Sequence, residues 1–419
     1  MQTAVQKTQE ALRLAKELGG KDALNCIAEI DPTALVQAAE LDRLPANARG
    51  ALNGLPVLIK DNIDVCGLHT TAGSLALADN IALRDAPVIA NLRRNGAVIL
   101  GKTNMTEFAN YTTQGMPGGY SSRGGYVIHA ADASLSPSGS SSGSAVAVAA
   151  GIVPAAVGTD TSFSIIACAQ DNGICGLKPP AGALSAEGVI PIARTLDSAG
   201  AMAKDLSGAL ALYSAMREKP LPALETEPVH KLRLAVNTAN LPMVSAEQKA
   251  FAGQAVSELR KQGAEVGEIL QEYAAEQRTI MQWEFKTHLE SYLRTASSER
   301  KTLAQIVAFY EANPEHMKYG ITLLKQALLE TPGGLEAETY LKAMAVRDAK
   351  RKEAAKLLAP YDAVIMTGPT NIMHFCGMPS VCIAGKQKNS HGFPRCLILY
   401  GTDEQRLYRA ALAIEALLP

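Results

Sequence analysis

The chain has 419 residues, 47% of them hydrophobic, enough to bury a large core in one large domain or in two to three ordinary ones. Forty Lys and Arg against 41 Asp and Glu leave a net charge of −1, which lacks the basic footprint of a nucleic-acid binder or of a protein drawn to an anionic membrane surface. The longest apolar stretch, Ala145 to Gly158, spans 14 residues and contains Pro154, short of the roughly 20 that cross a bilayer, so no transmembrane helix is predicted.

In chain order, the first twenty residues predict a helix with charges scattered through it (Lys7, Glu10, Arg13, Lys16, Glu17). It lacks the uninterrupted apolar centre of a signal peptide, and a cytoplasmic location is the expectation. Leu55–Ile59 is a short apolar run that predicts a buried strand, and Lys60 stands at its end. Ala86–Asn95 predicts a helix with Val88, Ile89 and Leu92 on one face, leading into a strand over Ala97–Leu100. Strand, helix and strand in that order indicate a β/α sheet. A helix of small residues is expected over Ser142–Ala150, then a buried strand over Ile152–Val157 that ends in the turn Gly158–Ser164. Active-site loops commonly sit at such strand ends. Lys219–Lys231, with Pro220, Pro222 and Pro228 among charges, predicts a surface linker before a strand over Leu232–Val236. From Ala246 to about Leu358 the chain is rich in Ala, Glu, Lys and Leu and predicts a helical cap. Strands over Ala363–Met366, Pro379–Ala384 and Arg395–Tyr400 and a closing helix over Asp403–Leu418 then return to the sheet pattern.

The seven cysteines (Cys26, Cys66, Cys168, Cys175, Cys376, Cys382, Cys396) form no Cys-x-x-Cys pair and are odd in number. Reduced, mostly buried thiols are expected, not a disulfide framework or a zinc cage. The seven histidines are scattered, none lies in a serine run, and Ser164 sits in no G-x-S-x-G elbow, so a Ser-His-Asp triad has no support in the sequence.

Three segments carry candidate chemistry. Ser138-Gly139-Ser140-Ser141-Ser142-Gly143-Ser144 is a run of small hydroxylic residues, and Gly158-Thr159-Asp160-Thr161-Ser162-Phe163-Ser164 places a second hydroxyl 24 positions after Ser140. A serine is a poor nucleophile at neutral pH and needs a base for its proton and donors for the developing oxyanion. A lysine meets the first need if burial keeps it partly neutral, and Lys60 ends an apolar strand. The small residues around Ser140 allow close backbone approach and unusual peptide geometry. Taken singly, these features have plain explanations: a lysine reaching solvent from a strand end, a flexible serine loop, a core serine.

Together, and in this order, they resemble the amidase signature family. Gly101-Lys102-Thr103-Asn104-Met105-Thr106-Glu107-Phe108, Gly176-Leu177-Lys178-Pro179, Gly188-Val189-Ile190-Pro191 and Arg194-Thr195-Leu196-Asp197-Ser198-Ala199-Gly200 extend the likeness. It is dense over residues 48–206 and weak beyond them, until Gly392-Phe393-Pro394 and the last helix. The resemblance implies an α/β fold, a mixed central β-sheet covered by helices on both faces, built as a single domain over 1–419 with the helical cap, 246–358, inside it. It implies Ser164 as nucleophile, Ser140 as the cis-serine that relays its proton, Lys60 as general base and acid, and the backbone N–H groups of Thr161, Ser162, Phe163 and Ser164 as the oxyanion hole. No metal or organic cofactor is needed by that chemistry. The partner implied is a small-molecule amide, neither nucleic acid nor membrane, and a homodimer is allowed.

The alternatives are a glutaminase component, of the A type found in tRNA-dependent amidotransferases, and an inactive relative. One departure bears on the last. Most members carry Gly-Gly, or an acid and Gly, where this chain has Ser162-Phe163, and a bulky residue tolerates positive φ poorly. The segment Ile165-Ile166-Ala167-Cys168 lacks the arginine common after the nucleophile and is nearer to the peptide-amidase branch. Cys168 is expected to be a structural thiol, not a nucleophile, and Asn62 and Asp160 are expected to brace loops.

Overall fold

The computed structural model describes residues 2–239, 246–366 and 370–418. These residues form thirteen strands: β1 (Ile27–Ile30), β2 (Leu55–Lys60), β3 (Ala97–Thr103), β4 (Tyr120–Ser121), β5 (Gly125–Tyr126), β6 (Ala155–Asp160), β7 (Cys175–Lys178), β8 (Ser198–Ala203), β9 (Arg233–Asn237), β10 (Glu265–Ile269), β11 (Ala363–Met366), β12 (Ser380–Lys388) and β13 (Pro394–Tyr400). Eleven of them make one sheet in the order β1-β3-β2-β6-β8-β7-β12-β13-β11-β9-β10, while β4 and β5 pair separately. β2 runs parallel to β3 and β6, and β9 parallel to β10 and β11; the other neighbours are antiparallel, so the sheet is mixed.

Strand side chains alternate between two faces, and each face has its own core. Val57 and Ile59 join Ala155, Val157 and Ile99 on one side, whereas Leu58 joins Ala156, Val98 and Leu100 on the other. The first side is covered by helices Pro87–Arg94, Leu206–Met216, Ala246–Lys261 and Glu404–Leu417. The second is covered by Ala4–Leu18, Ala34–Arg43, Ser142–Ala149, Ile166–Asp171 and the helices between Glu276 and Leu358. Lys60, two residues after Leu58, therefore belongs to the second side. Among the described residues no helix is long and apolar enough to cross a membrane.

Two expectations need correction. The stretch 246–358 is not one helical cap. Ala246–Lys261 lies on the first side of the sheet, β10 follows it as an edge strand parallel to β9, and only the helices from Glu276 to Leu358 stand over the second side. The sequence Glu265-Val266-Gly267-Glu268-Ile269 is too polar to read as a strand because β10 is an edge whose residues are half exposed. The strand expected over Ile152–Val157 starts instead at Ala155 and runs to Asp160. Pro154 has no N–H to give a ladder, and Thr159 and Asp160 pair with Ala199 and Ser198 of β8, a strand the sequence did not reveal.

Candidate functional site

The parallel strands β2 and β6 are neighbours, with Ile59 opposite Val157, so their carboxyl ends open at the same place. Between them in sequence comes the serine run, which enters helix Ser142–Ala149 through a cis Gly139–Ser140 peptide. Two glycines let these parts approach. A Cβ on Gly143 would meet the carbonyl oxygens of Asn104 and Cys26 at 2.3 and 2.4 Å, and one on Gly158 would meet Ser141 Oγ at 2.8 Å. Such distances exclude any side chain without movement of the backbone or of the Ser141 hydroxyl.

Lys60 is fully buried. Its Nζ lies 2.7 Å from Ser140 Oγ, 3.0 Å from Ser141 Oγ, 2.8 Å from Thr159 Oγ1 and 3.1 Å from the Thr159 carbonyl. All four neighbours are uncharged oxygens, and among the described residues no carboxylate pairs with the amine. Burial therefore brings the Lys60 amine down to about 7, with Asp160 and Asp197 among the charges that oppose the shift. A neutral amine donates two hydrogens and accepts one, so this cage can satisfy it with a hydroxyl proton pointed at its lone pair. Asn62 Nδ2 donates to Thr159 Oγ1 at 3.0 Å and to the Ile190 carbonyl at 3.2 Å, fixing the back of the cage.

Ser164 lies in the turn between β6 and helix Ile166–Asp171. Its carbonyl accepts the Ser141 N–H at 3.2 Å, which sets it one residue away from Ser140 in space. Asp160 Oδ2 accepts the N–H groups of Ile165 and Ile166 at 2.7 and 3.3 Å, so the carboxylate caps the turn from below. Phe163 takes φ +75°, the left-handed conformation that glycine ordinarily supplies, and its carbonyl accepts from Ala167. Among the described residues the N–H groups of Ser162, Phe163 and Ser164 donate to no acceptor. Thr161 is held twice: its hydroxyl donates to Asp197 Oδ1, whose Oδ2 takes the N–H groups of Ile192 and Ala193, and its carbonyl accepts Gln277 Nε2 at 3.1 Å. Burial pushes the Asp197 carboxyl up to about 7 against those hydrogen bonds.

The residues singled out in the sequence are thus brought together unequally. Lys60 and Ser140 touch, and the backbone of Ser164 is bonded to the residue after Ser140. Asn62 and Asp160 brace loops as expected. Cys168 is buried and its thiol is raised to about 12, again by burial, so it stays protonated at neutral pH.

Sequence reading missed Ser141 and Thr159 as lysine partners, because nothing in a serine run marks which hydroxyl faces inward. It also missed His374. That ring is fully buried, with Nδ1 2.9 Å from Asp160 Oδ1 but out of hydrogen-bonding alignment, and its Nε2 has no partner among the described residues. It makes no hydrogen bond to Ser164, so this histidine does not supply the nucleophile–base bond of a Ser-His-Asp triad.

Comparison with known proteins gives consistent findings. The Amidase family model matches residues 10–376. The chain is 32% identical to the peptide amidase of Stenotrophomonas maltophilia, whose crystal structure superposes with a TM-score of 0.90 over 100% of this chain and 94% of that one. It is 30% identical to a probable amidase of Arabidopsis thaliana, over 94% of this chain and 83% of the relative. It is also 30% identical to the A component of the glutamyl-tRNA(Gln) amidotransferase of Streptococcus pneumoniae, over 99% of this chain and 93% of that component.

Proposed function

Because this chain belongs to the amidase family and is a hydrolase acting on amide C–N bonds, we propose that it cleaves a small carboxamide, of the amino-acid amide or peptide amide class, through an acyl-enzyme formed on Ser164. The observation that carries the reading is the contact of a buried, carboxylate-free lysine with Ser140 Oγ at 2.7 Å. A lysine so placed is available as a base near neutral pH, whereas a solvated one is not.

In this reading Ser164 Oγ attacks the carbonyl carbon of the amide. Its proton passes to Ser140 Oγ while the Ser140 proton moves to Lys60 Nζ, so one proton advances along two hydrogen bonds. The carbonyl oxygen, now carrying charge, is received by the N–H groups of Thr161, Ser162, Phe163 and Ser164, and among the described residues those of Ser162, Phe163 and Ser164 have no acceptor of their own. Donors waiting in place need no reorganisation as charge develops. Collapse of the tetrahedral intermediate breaks the C–N bond, and the proton returns from Lys60 through Ser140 to the departing ammonia or amine. Water then attacks the acyl-enzyme with the same relay as base, and the acid leaves.

The likeness to an amidotransferase component supports a second reading, a glutaminase that hands ammonia to a partner protein. One experiment separates them. The purified chain alone is assayed for ammonia release over a panel of amino-acid amides, peptide amides, simple aliphatic amides and glutamine. Turnover of an amide by the lone chain, lost in Ser164→Ala with an unchanged thermal midpoint, supports the stand-alone amidase. Turnover confined to glutamine supports the second reading, and wild-type turnover by Ser164→Ala overturns the nucleophile assignment.

A further inference from the structure

The turn that carries Ser164 is gripped from a distant part of the chain by a side chain with no place in the proton relay. His374 lies in the short helix Ile372–Phe375, 210 positions after Ser164, yet its ring meets the Phe163 ring with centroids 4.2 Å apart and planes at 64°. The same ring sets Nδ1 2.9 Å from Asp160 Oδ1, and both side chains are fully buried. Phe163 directly precedes Ser164. Asp160 holds the two N–H groups that directly follow it. One ring therefore touches both arms of the nucleophile turn.

Two features of this ring pair need a cause. Among the described residues neither buried ring nitrogen makes an aligned hydrogen bond, Nδ1 meeting Asp160 Oδ1 only as a 2.9 Å contact, an arrangement native interiors rarely keep. Phe163, in turn, holds φ +75°, a conformation that disfavours a bulky residue and persists only where its surroundings over-determine it. Each answers the other. An edge-to-face ring pair at this separation is attractive and fixes the Phe163 side chain, which fixes the left-handed step.

We infer that His374 is a positioning residue that locks the left-handed Phe163 step through its ring, and thereby sets the attack geometry of Ser164. The inference rests on Ser164 being the nucleophile, as proposed above. Where other members of the family are expected to reach the same backbone step with a glycine, this chain reaches it with a ring pair. The ring is the working part of His374, since it is the ring that meets Phe163. The contact with Asp160 keeps the ring from turning.

A double-mutant cycle tests this. His374→Asn, Phe163→Gly and the double variant are compared for kcat, KM, thermal midpoint and the rate at which a fluorophosphonate labels Ser164, forming an O–P bond with loss of fluoride. His374→Asn, which removes the ring, is expected to lower kcat and the labelling rate by about 100-fold, the scale of a displaced reacting group, with KM within about twofold. Phe163→Gly takes the same φ unaided and is expected to lose less kcat than His374→Asn, with a lower midpoint. In that background His374→Asn should change kcat by less than about threefold. His374→Phe, which keeps a ring and no nitrogen, should retain at least about a tenth of wild-type kcat, and it stands in if His374→Asn does not fold. Wild-type kcat and labelling in His374→Asn, additive losses in the double variant, or a His374→Phe protein as impaired as His374→Asn would each overturn the clamp. Ser164→Ala run alongside keeps the two ideas apart: hydrolysis surviving there removes the nucleophile assignment, whereas hydrolysis lost there with an indifferent His374→Asn removes the clamp alone.

Discussion

The charge state of Lys60 can be measured through stability as well as through rate. Lys60 titrates from an ordinary 10.5 in the unfolded chain to about 7 in the fold. Between those values the unfolded chain binds a proton that the folded one rejects, so stability rises with pH across that window and is flat below it, where both states are protonated. Each tenfold in proton affinity is worth about 1.4 kcal/mol, and integrating the two titrations from pH 7 to pH 9 gives a gain of about 2 kcal/mol from this one group. Other buried groups are shifted as well: Lys178, lowered to about 8 by burial, Lys102, also lowered by burial, and Asp197, raised to about 7. They cancel when the wild type is compared with Lys60→Met, which keeps the volume and removes the titration. At roughly 2 cal/mol/K of unfolding entropy per residue, 2 kcal/mol corresponds to about 2 °C in midpoint for a chain of this length. The wild-type midpoint should therefore rise by about 2 °C relative to Lys60→Met between pH 7 and pH 9, and kcat/KM of the wild type should climb through pH 7 and level off above it. Midpoints that shift in parallel for the two proteins would mean that Lys60 keeps its proton, and the assignment of this lysine as base would fall with them.

Lys60→Ala and Ser140→Ala should each lose most activity, and the double variant should be scarcely slower than the worse single one, because both groups move the same proton; losses that multiply would break the relay apart. Iodoacetamide at pH 8 should add one label, at exposed Cys66, and none at the six buried thiols, Cys168 included. Mass spectrometry of Cys66→Ser reads this directly, and rapid labelling of Cys168 would reopen a thiol route.

What was legible in the sequence follows from local rules. Apolar runs of the right length located β2, β3, β11 and β13 because central strands are buried on both sides, and such strands need continuous hydrophobicity. Lys60 stood out for the same reason, as a charge where the pattern demanded none. The small residues of the serine run and the Gly158–Ser164 segment announced close backbone approach. β1, β7, β8 and β10 were hidden: β10 is a half-exposed edge, and β8, Ser198-Ala199-Gly200-Ala201-Met202-Ala203, is made of residues too small to signal a strand until a neighbour presses against each face. The tertiary structure alone decided which oxygens surround the Lys60 amine, since hydroxyls of Ser140, Ser141 and Thr159 are equivalent in sequence and differ only in where the sheet and helix Ser142–Ala149 carry them. It also decided the role of Phe163. By sequence a bulky residue at a left-handed step is a defect; in the fold it is one half of a ring pair, because folding brings His374 from 211 residues away to within 4.2 Å, and contacts of such separation leave no periodic trace along the chain.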